Sequence, residues 1–251
     1  MKVAILSDVH ANLEALTAVL EDVDSRSVNR ILFLGDAVGY GADPAACLEL
    51  LEKSVFRFVA GNHDHAAGND QEGLEDLHED AATAVRWTRG VLAQEAKERL
   101  QGLPLGCLEG PMHLVHGSPY KPESWRYVMS EQDAERGFAA SESRVIFVGH
   151  SHIPAAYVEV ECKRLFTGVM RRIKVEDPES LQLEPRYRYI LNVGSVGQPR
   201  DGDARAAYGI FEPEGGTYKL LRVPYDVEKA SDKIMKAGLP GRLAERLRSG
   251  K

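Results

Sequence analysis

The chain has 251 residues, 43% hydrophobic and 27% charged, with 23 Gly and 12 Pro. That length and balance admit one large domain or two small ones, allow a large core, and exclude a disordered, collagenous or low-complexity protein. The formal net charge of −7 argues against a broad nucleic-acid-binding face, although bound cations can reverse the charge of a single pocket.

Lys2 to Ser7 is short, apolar and aliphatic, which predicts a buried strand. Asn12 predicts an N-cap for a helix to about Val23, with Leu13, Leu16, Val19 and Leu20 on one stripe. Arg30 to Leu34 predicts a second strand, Pro44 opens a helix to about Lys53, and Val55 to Val59 predicts a third strand. This β-α-β-α-β order implies parallel strands joined by right-handed crossovers. Glu72 to Leu100 is helical in composition, with Gly90 as the expected break between two helices. Strands are expected at Met112–His116 and Val145–Val148, with a short helix from Glu131 to Ala140 after Ser130. From Tyr157 the period changes, and strands follow one another without helices. Ala156–Val160, Leu165–Val175, Arg188–Val193, Ala207–Phe211 and Tyr218–Val223 predict a second, more antiparallel sheet. Asp226 to the end returns to helix, with Val227, Ala230, Ile234 and Met235 as its apolar face. The expected organisation is α/β: two packed sheets flanked by helices, one domain over residues 1–251, with a helical segment from about 226.

Cys47, Cys107 and Cys162 are odd in number and far apart, which offers neither a disulfide framework nor a Cys-x-x-Cys metal site. No apolar run approaches the roughly 20 residues of a membrane span. Met1 to Leu6 is too short for a signal peptide and lacks a cleavage site. A cytoplasmic protein without a membrane partner is expected.

The chemistry sits at strand ends. The first strand ends in Ser7-Asp8-Val9-His10, the second in Gly35-Asp36, the third in Gly61-Asn62-His63-Asp64. The next ends in His116-Gly117, and the fifth in Gly149-His150-Ser151-His152. Ligands bind at the carboxyl edge of open parallel sheets, so these ends side by side would form one crevice. Asp8 and His10 are two apart, and an extended chain would point both the same way; His150 and His152 repeat the spacing. Asp36 is a carboxylate that can bridge two metals, and Asn62 offers a neutral oxygen. Nitrogen and oxygen donors without thiolate favour Mn, Fe, Zn, Ni or Co over Ca or Mg. Two such ions can share a hydroxide and hold a phosphoryl oxygen, which suits in-line hydrolysis of a phosphate ester.

The ordered series Asp8-x-His10, Gly35-Asp36, Gly61-Asn62-His63-Asp64, His116 and Gly149-His150-x-His152 resembles the calcineurin-like metallophosphoesterases, most closely the small bacterial and archaeal YfcE-like phosphodiesterases. The likeness runs from Lys2 to about Asp203. It implies a four-layer α/β/β/α sandwich with a two-metal centre. By motif, Asp8, His10 and His152 would hold one ion, Asn62, His116 and His150 the other, and Asp36 would bridge them. His63 would be the catalytic histidine, giving a proton or hydrogen bond to the phosphoryl group or leaving oxygen. The implied activity is dinuclear-metal-dependent phosphoester hydrolysis by a metal-bridging hydroxide, with Mn first among the ions named.

One block departs from the family pattern. Many family phosphatases read Gly-Asp-x-x-Asp-Arg-Gly, whereas this chain reads Gly35-Asp36-Ala37-Val38-Gly39-Tyr40-Gly41. Gly39 replaces the carboxylate that orients the catalytic histidine, and Tyr40 replaces an arginine that grips phosphate. A dianionic monoester gains most from such an arginine, so the change favours phosphodiesters. Arg200, in the segment Asn192 to Asp203, is the candidate substitute; Arg200 and Tyr40 are the candidate substrate-binding residues. The plain alternative pairs Arg200 with Asp201 in a turn. Asp64 is read equally as a cap or a partner of the site, and His65, His78 and His113 as structural or solvated. Arg242, Arg246, Arg248 and Lys251 are expected on a surface helix. Rival functions are a phosphomonoesterase or protein phosphatase, and a protein-binding scaffold of the same fold. A scaffold would be expected to lack part of the ligand set, which this chain keeps. The expected partner is a small phosphorylated substrate; nucleic acid is disfavoured, and a homo-oligomer through a sheet edge stays open.

Overall fold

Val3-Ala4-Ile5-Leu6 forms β1, and all four side chains are buried because helices cover one face and a second sheet covers the other. Ala4 and Leu6 pack with Leu16 and Val19 of α1 (Leu13–Ser25), while Val3 and Ile5 face the opposite layer. The computed structural model describes residues 1–69, 73–75, 77–164 and 168–251. The first sheet runs β3 (Arg57–Phe58), β2 (Arg30–Phe33), β1, β11 (Ala206–Glu212), β12 (Thr217–Val223) and β9 (Ser180–Gln182). The second runs β4 (Gly106–Glu109), β5 (Met112–Val115), β6 (Val145–Val148), β10 (Arg188–Asn192), β7 (Ala155–Arg164) and β8 (Gly168–Glu176). β1, β2 and β3 are parallel, as are β5, β6 and β10; the remaining neighbours are antiparallel.

Outside the first sheet lie α1, α2 (Pro44–Ser54), α3 (Asn62–Gly68), α4 (Glu79–Val91) and α5 (Gln94–Gln101), sharing one apolar core. Outside the second lies α6 (Glu131–Ala139), through Ala134 and Phe138. α7 (Val227–Lys236) and α8 (Gly241–Ser249) form a separate apolar cluster against Ala84 of α4, with Tyr40 packed at its margin. The layers are therefore α/β/β/α, two mixed sheets of six strands flanked by helices. Between the sheets, Ile5, Leu32 and Leu34 meet Phe147, Leu191, Phe211 and Tyr218. The Phe147 ring is fully buried, 5.4 Å from Phe211 and 6.1 Å from Tyr218. Phe147→Ala should therefore destabilise the fold by about 3–5 kcal/mol through lost burial and a residual cavity. Chemical denaturation checks this; a shift under ~1 kcal/mol would mean the layers repack around the gap.

Sheet membership differs from the sequence expectation. β11 and β12 lie beside β1, not in the second sheet, and β5 and β6 belong to the second. The reason is long-range pairing: β11 returns antiparallel to β1 from the other end of the chain, and strand periodicity carries no partner information. The helical stretch breaks at Leu92 and Ala93, not at Gly90, which stays inside α4 with open space around its Cα. The final helix divides at Gly238, whose φ is +71°. β4, β9 and α3 were not expected. Glu72 and Leu165, where two expected elements open, lie outside the described residues.

Candidate metal centre

Loops from both sheets build the site. After β1 the chain turns sharply, with φ of 56° at Asp8, 48° at His10 and 53° at Ala11. The idea that an extended chain points Asp8 and His10 the same way is therefore incorrect; a left-handed turn orients them. Asp36 (59°), His150 (65°) and His152 (61°) share this region. Such backbone costs about 1–3 kcal/mol per residue and persists where the surroundings over-determine it. Here the Asp8 N–H donates to Gly35 O (3.0 Å), the His10 N–H to Asp36 O (2.9 Å) and the Gly197 N–H to Asp8 O (2.9 Å). Gly149 permits the close approach of the sheets, because a Cβ there would overlap Ser7 Oγ.

Backbone carbonyls fix the imidazoles. His10 Nδ1 donates to Val38 O (3.1 Å), His116 Nδ1 to Leu34 O (2.9 Å) and His152 Nδ1 to Gln198 O (2.6 Å). A carbonyl only accepts, so each Nδ1 carries hydrogen and each ring turns its Nε2 inward, the atom left to meet a cation. His10 Nε2 and His152 Nε2 lie 3.1 Å apart, as do His116 Nε2 and His150 Nδ1. Asp8 Oδ1 stands 3.3 Å from His152 Nε2 and 3.7 Å from His10 Nε2. Asp36 Oδ2 stands 3.2 Å from His116 Nε2 and 3.6 Å from His10 Nε2. Among the described residues, three triads place their donor atoms within 4.8 Å of one another: Asp8-His10-His152, His10-Asp36-His63 and Asp36-His116-His150. Asp8 Oδ1 and Asn62 Oδ1 are buried without a hydrogen-bond partner. Ring nitrogens this close to one another and to carboxylates, with orphaned oxygens beside them, leave polar atoms unsatisfied unless cations lie among them, so this donor set fits divalent metal ions.

The electrostatics agree. Burial opposes ionisation of Asp8 and Asp36, but the surrounding histidines outweigh it and hold both carboxyls below the usual range. Burial disfavours a charged His116, yet Asp36 and Asp8 raise it to about 9. Burial, reinforced by His116, lowers His150 to about 3; burial, reinforced by Arg200, lowers His152 to about 4. Those two rings are neutral and available as ligands.

His63 sits at the start of α3, its N–H donating to Asp36 Oδ1 (2.8 Å). Its ring packs edge-on to His10 (centroids 4.8 Å) and tilted on Tyr40 (4.4 Å). No side chain fits at position 39, because a Cβ on Gly39 would overlap His63 Nδ1. Aromatic packing thus frames this ring, and its Nδ1 is buried without a partner. Burial lowers its pKa well below the imidazole range, against the pull of Asp36. Asp64 serves as both cap and partner of the site. Its carboxylate accepts from Gly61 N (3.2 Å), Asp36 N (2.7 Å), Ala37 N (2.8 Å) and Val38 N (3.2 Å). Burial and the Asp36 charge push it up to about 7, against those backbone donors.

A cavity of about 670 Å³ opens over the cluster, with Asn62, His63, His150, His152, Tyr40 and Arg200 in its wall. Arg200 Nη2 donates to Gln198 Oε1 (2.9 Å) and Tyr40 Oη (3.3 Å), whereas Asp201 pairs with Arg222. The turn pairing of Arg200 with Asp201 is therefore absent among the described contacts. His65 and His78, read as structural or solvated, line the cavity; His113 bonds Ser141 Oγ (2.9 Å). Among the wall residues that sequence reasoning does not place at the site are Trp125, Tyr127 and Arg246. Tyr127 stacks on His150 (4.1 Å, 9°), and Trp125 is 6.1 Å from His116. No local spacing marks them; the 3₁₀ turn Pro122–Ser124 and α8 deliver them by tertiary folding.

A two-sheet sandwich whose loops gather carboxylates and imidazoles into one buried cage defines a class of metal-ligating α/β proteins. The profile of the calcineurin-like phosphoesterase superfamily domain matches residues 1–216, and the chain belongs to that superfamily. It is 38% identical over 253 residues to the uncharacterized protein MJ0912 of Methanocaldococcus jannaschii, covering 99% of this chain and 98% of that one. Among solved structures, the metallophosphoesterase from Sphaerobacter thermophilus is 38% identical, with a TM-score of 0.83 over 100% of this chain and 99% of its own. The hypothetical protein PH1004 from Pyrococcus horikoshii OT3 is 20% identical and shares the fold, with a TM-score of 0.76 over 100% and 98% of the two chains. Among the described residues, no helix is long and apolar enough to cross a membrane.

Proposed function

We propose that this protein hydrolyses phosphate esters, phosphodiesters foremost, with two divalent transition-metal ions, manganese first among them. One observation carries the assignment: the inward Nε2 atoms of His10, His116 and His152 converge on Asp8 and Asp36 in a buried cage beneath a cavity of about 670 Å³. Asp8, His10 and His152 would hold one ion; Asn62, His116 and His150 would hold the other. Asp36 belongs to triads on both sides, as a bridging carboxylate requires. When bound, such ions supply positive charge for phosphoryl oxygens and lower the pKa of water. His63 offers its N–H to the phosphoryl group or the departing oxygen. Tyr40 holds the His63 ring on one side and the Arg200 guanidinium on the other. Arg200 in turn lines the cavity, where it binds the substrate. We further propose one domain over residues 1–251 and a cytoplasmic location.

Chelator-treated protein reconstituted with Mn²⁺ should cleave bis(p-nitrophenyl) phosphate and prefer it to p-nitrophenyl phosphate by kcat/KM. Chelator should abolish turnover. Two bound equivalents with no cleavage of monoesters, diesters or pyrophosphate would instead leave a metal-binding scaffold.

A further inference from the structure

We propose that Arg246 and Arg200 together form a second anion-binding point in the cavity wall, so that the substrate carries another phosphate beside the phosphoryl group that is cleaved. The inference deepens the phosphoesterase assignment and rests on it. Arg246 lies on α8, beyond the 216 residues that match the superfamily profile, yet it lines the same cavity as His63, His152 and Arg200.

The fold holds the two arginines firmly. Leu243, Ala244 and Leu247 of α8 are buried against Ala230 and Ile234 of α7, with Tyr40 packed at the margin. The chain end is tied to the Arg200 loop, because the Gly202 N–H donates to Gly250 O (2.8 Å). Tyr40 thus touches the α7–α8 cluster, His63 and Arg200 alike.

Their charges are left for a ligand. Neighbouring arginines are spent on carboxylates: Arg222 on Asp201, Arg205 on Asp203, Arg248 on Glu228. Among the described residues, neither Arg200 nor Arg246 meets a carboxylate at ion-pair distance, and Arg200 Nε is buried without a partner. Burial and the nearby Arg200 charge both depress the Arg246 guanidinium, which Tyr40 and Asp80 offset only in part. Two like cations beside a closed apolar cluster are favourable when one anion meets both forks. The cleaved phosphoryl group belongs over the histidine cage, so the arginine pair receives a different one. A nucleotide bearing a further phosphate has this chemistry.

Two measurements test the pair. The Mn²⁺-loaded full chain is assayed on thymidine 5′-(p-nitrophenyl phosphate) with and without a 3′-phosphate. Arg246→Gln should lower the kcat/KM ratio of the phosphorylated to the plain substrate by roughly 10- to 100-fold. Arg246→Lys keeps the charge without the fork and should fall between; it also serves if the first variant does not fold. Separately, pyrophosphate is titrated calorimetrically into chelator-treated protein, where Arg246→Gln should weaken binding roughly tenfold or more. An unchanged substrate ratio, or equal pyrophosphate affinity in variant and wild type, overturns the second anion point. Wild-type protein that binds pyrophosphate through Arg246 but cleaves neither ester overturns the hydrolase assignment instead.

Discussion

Asp36→Ala is expected to lose both metal ions, and with them roughly 10³-fold or more of the hydrolytic rate, since metal charge supplies several kcal/mol to the transition state. The carboxylate is 1% exposed, and its Oδ2 stands between His116 Nε2 (3.2 Å) and His10 Nε2 (3.6 Å). It enters two of the three donor triads, whereas Asp8 enters one. Removing it leaves Asp8 as the sole carboxylate of those triads, which is too little anionic charge to hold two dications away from water. Asp36→Asn refines the test. Its amide oxygen can still accept the His63 N–H that Asp36 Oδ1 now accepts at 2.8 Å, so the entrance to α3 is kept and only the charge is lost. Metal analysis after dialysis should find well under two equivalents in both variants. Two equivalents retained in Asp36→Asn would show that the ions do not depend on a shared carboxylate.

How much of this was legible in the sequence depends on the range of the interaction concerned. Blocks such as Gly149-His150-Ser151-His152 were readable because an apolar strand breaking into imidazoles is a local pattern. The layered architecture was readable because Val3 to Leu6 and Val145 to Val148 are apolar on every residue, which requires cover on both faces. Sheet membership was not, since β11 finds β1 only through the finished core. The route by which Asp8 and His10 converge was also hidden. Nothing in Ser7-Asp8-Val9-His10 announces left-handed backbone at two non-glycine residues; hydrogen bonds to the Gly35 and Asp36 carbonyls and from the Gly197 N–H impose it. Gly39 was read as the loss of an orienting carboxylate. The structure gives it a positive meaning, as the position vacated so that His63 can lean on Tyr40. Arg246 looked like one charge in a basic surface helix, because its approach to Arg200 is set by how α7 and α8 pack.

His63→Ala should separate metal binding from catalysis: both ions retained, and turnover lowered by about 10²–10⁴-fold, the range for a positioned proton donor. Alanine preserves the backbone N–H to Asp36 Oδ1 and leaves the Asp64 carboxylate on its four backbone donors. The loop that carries Asn62 therefore keeps its anchors, and the change is confined to the ring. The size of the loss should depend on the leaving group. A p-nitrophenolate departs without a proton, so the nitrophenyl diester should lie near the low end, and an alkyl diester near the high end. Metal content decides between two placements, because a His63 ring nitrogen also lies within 4.8 Å of donor atoms on His10 and Asp36. If His63→Ala loses an ion, the ring belongs to the ligand set and its loss says nothing about proton transfer. If it keeps both ions and hydrolyses the alkyl diester at the wild-type rate, the ring is neither ligand nor acid, and its fit between Tyr40 and His10 is packing alone.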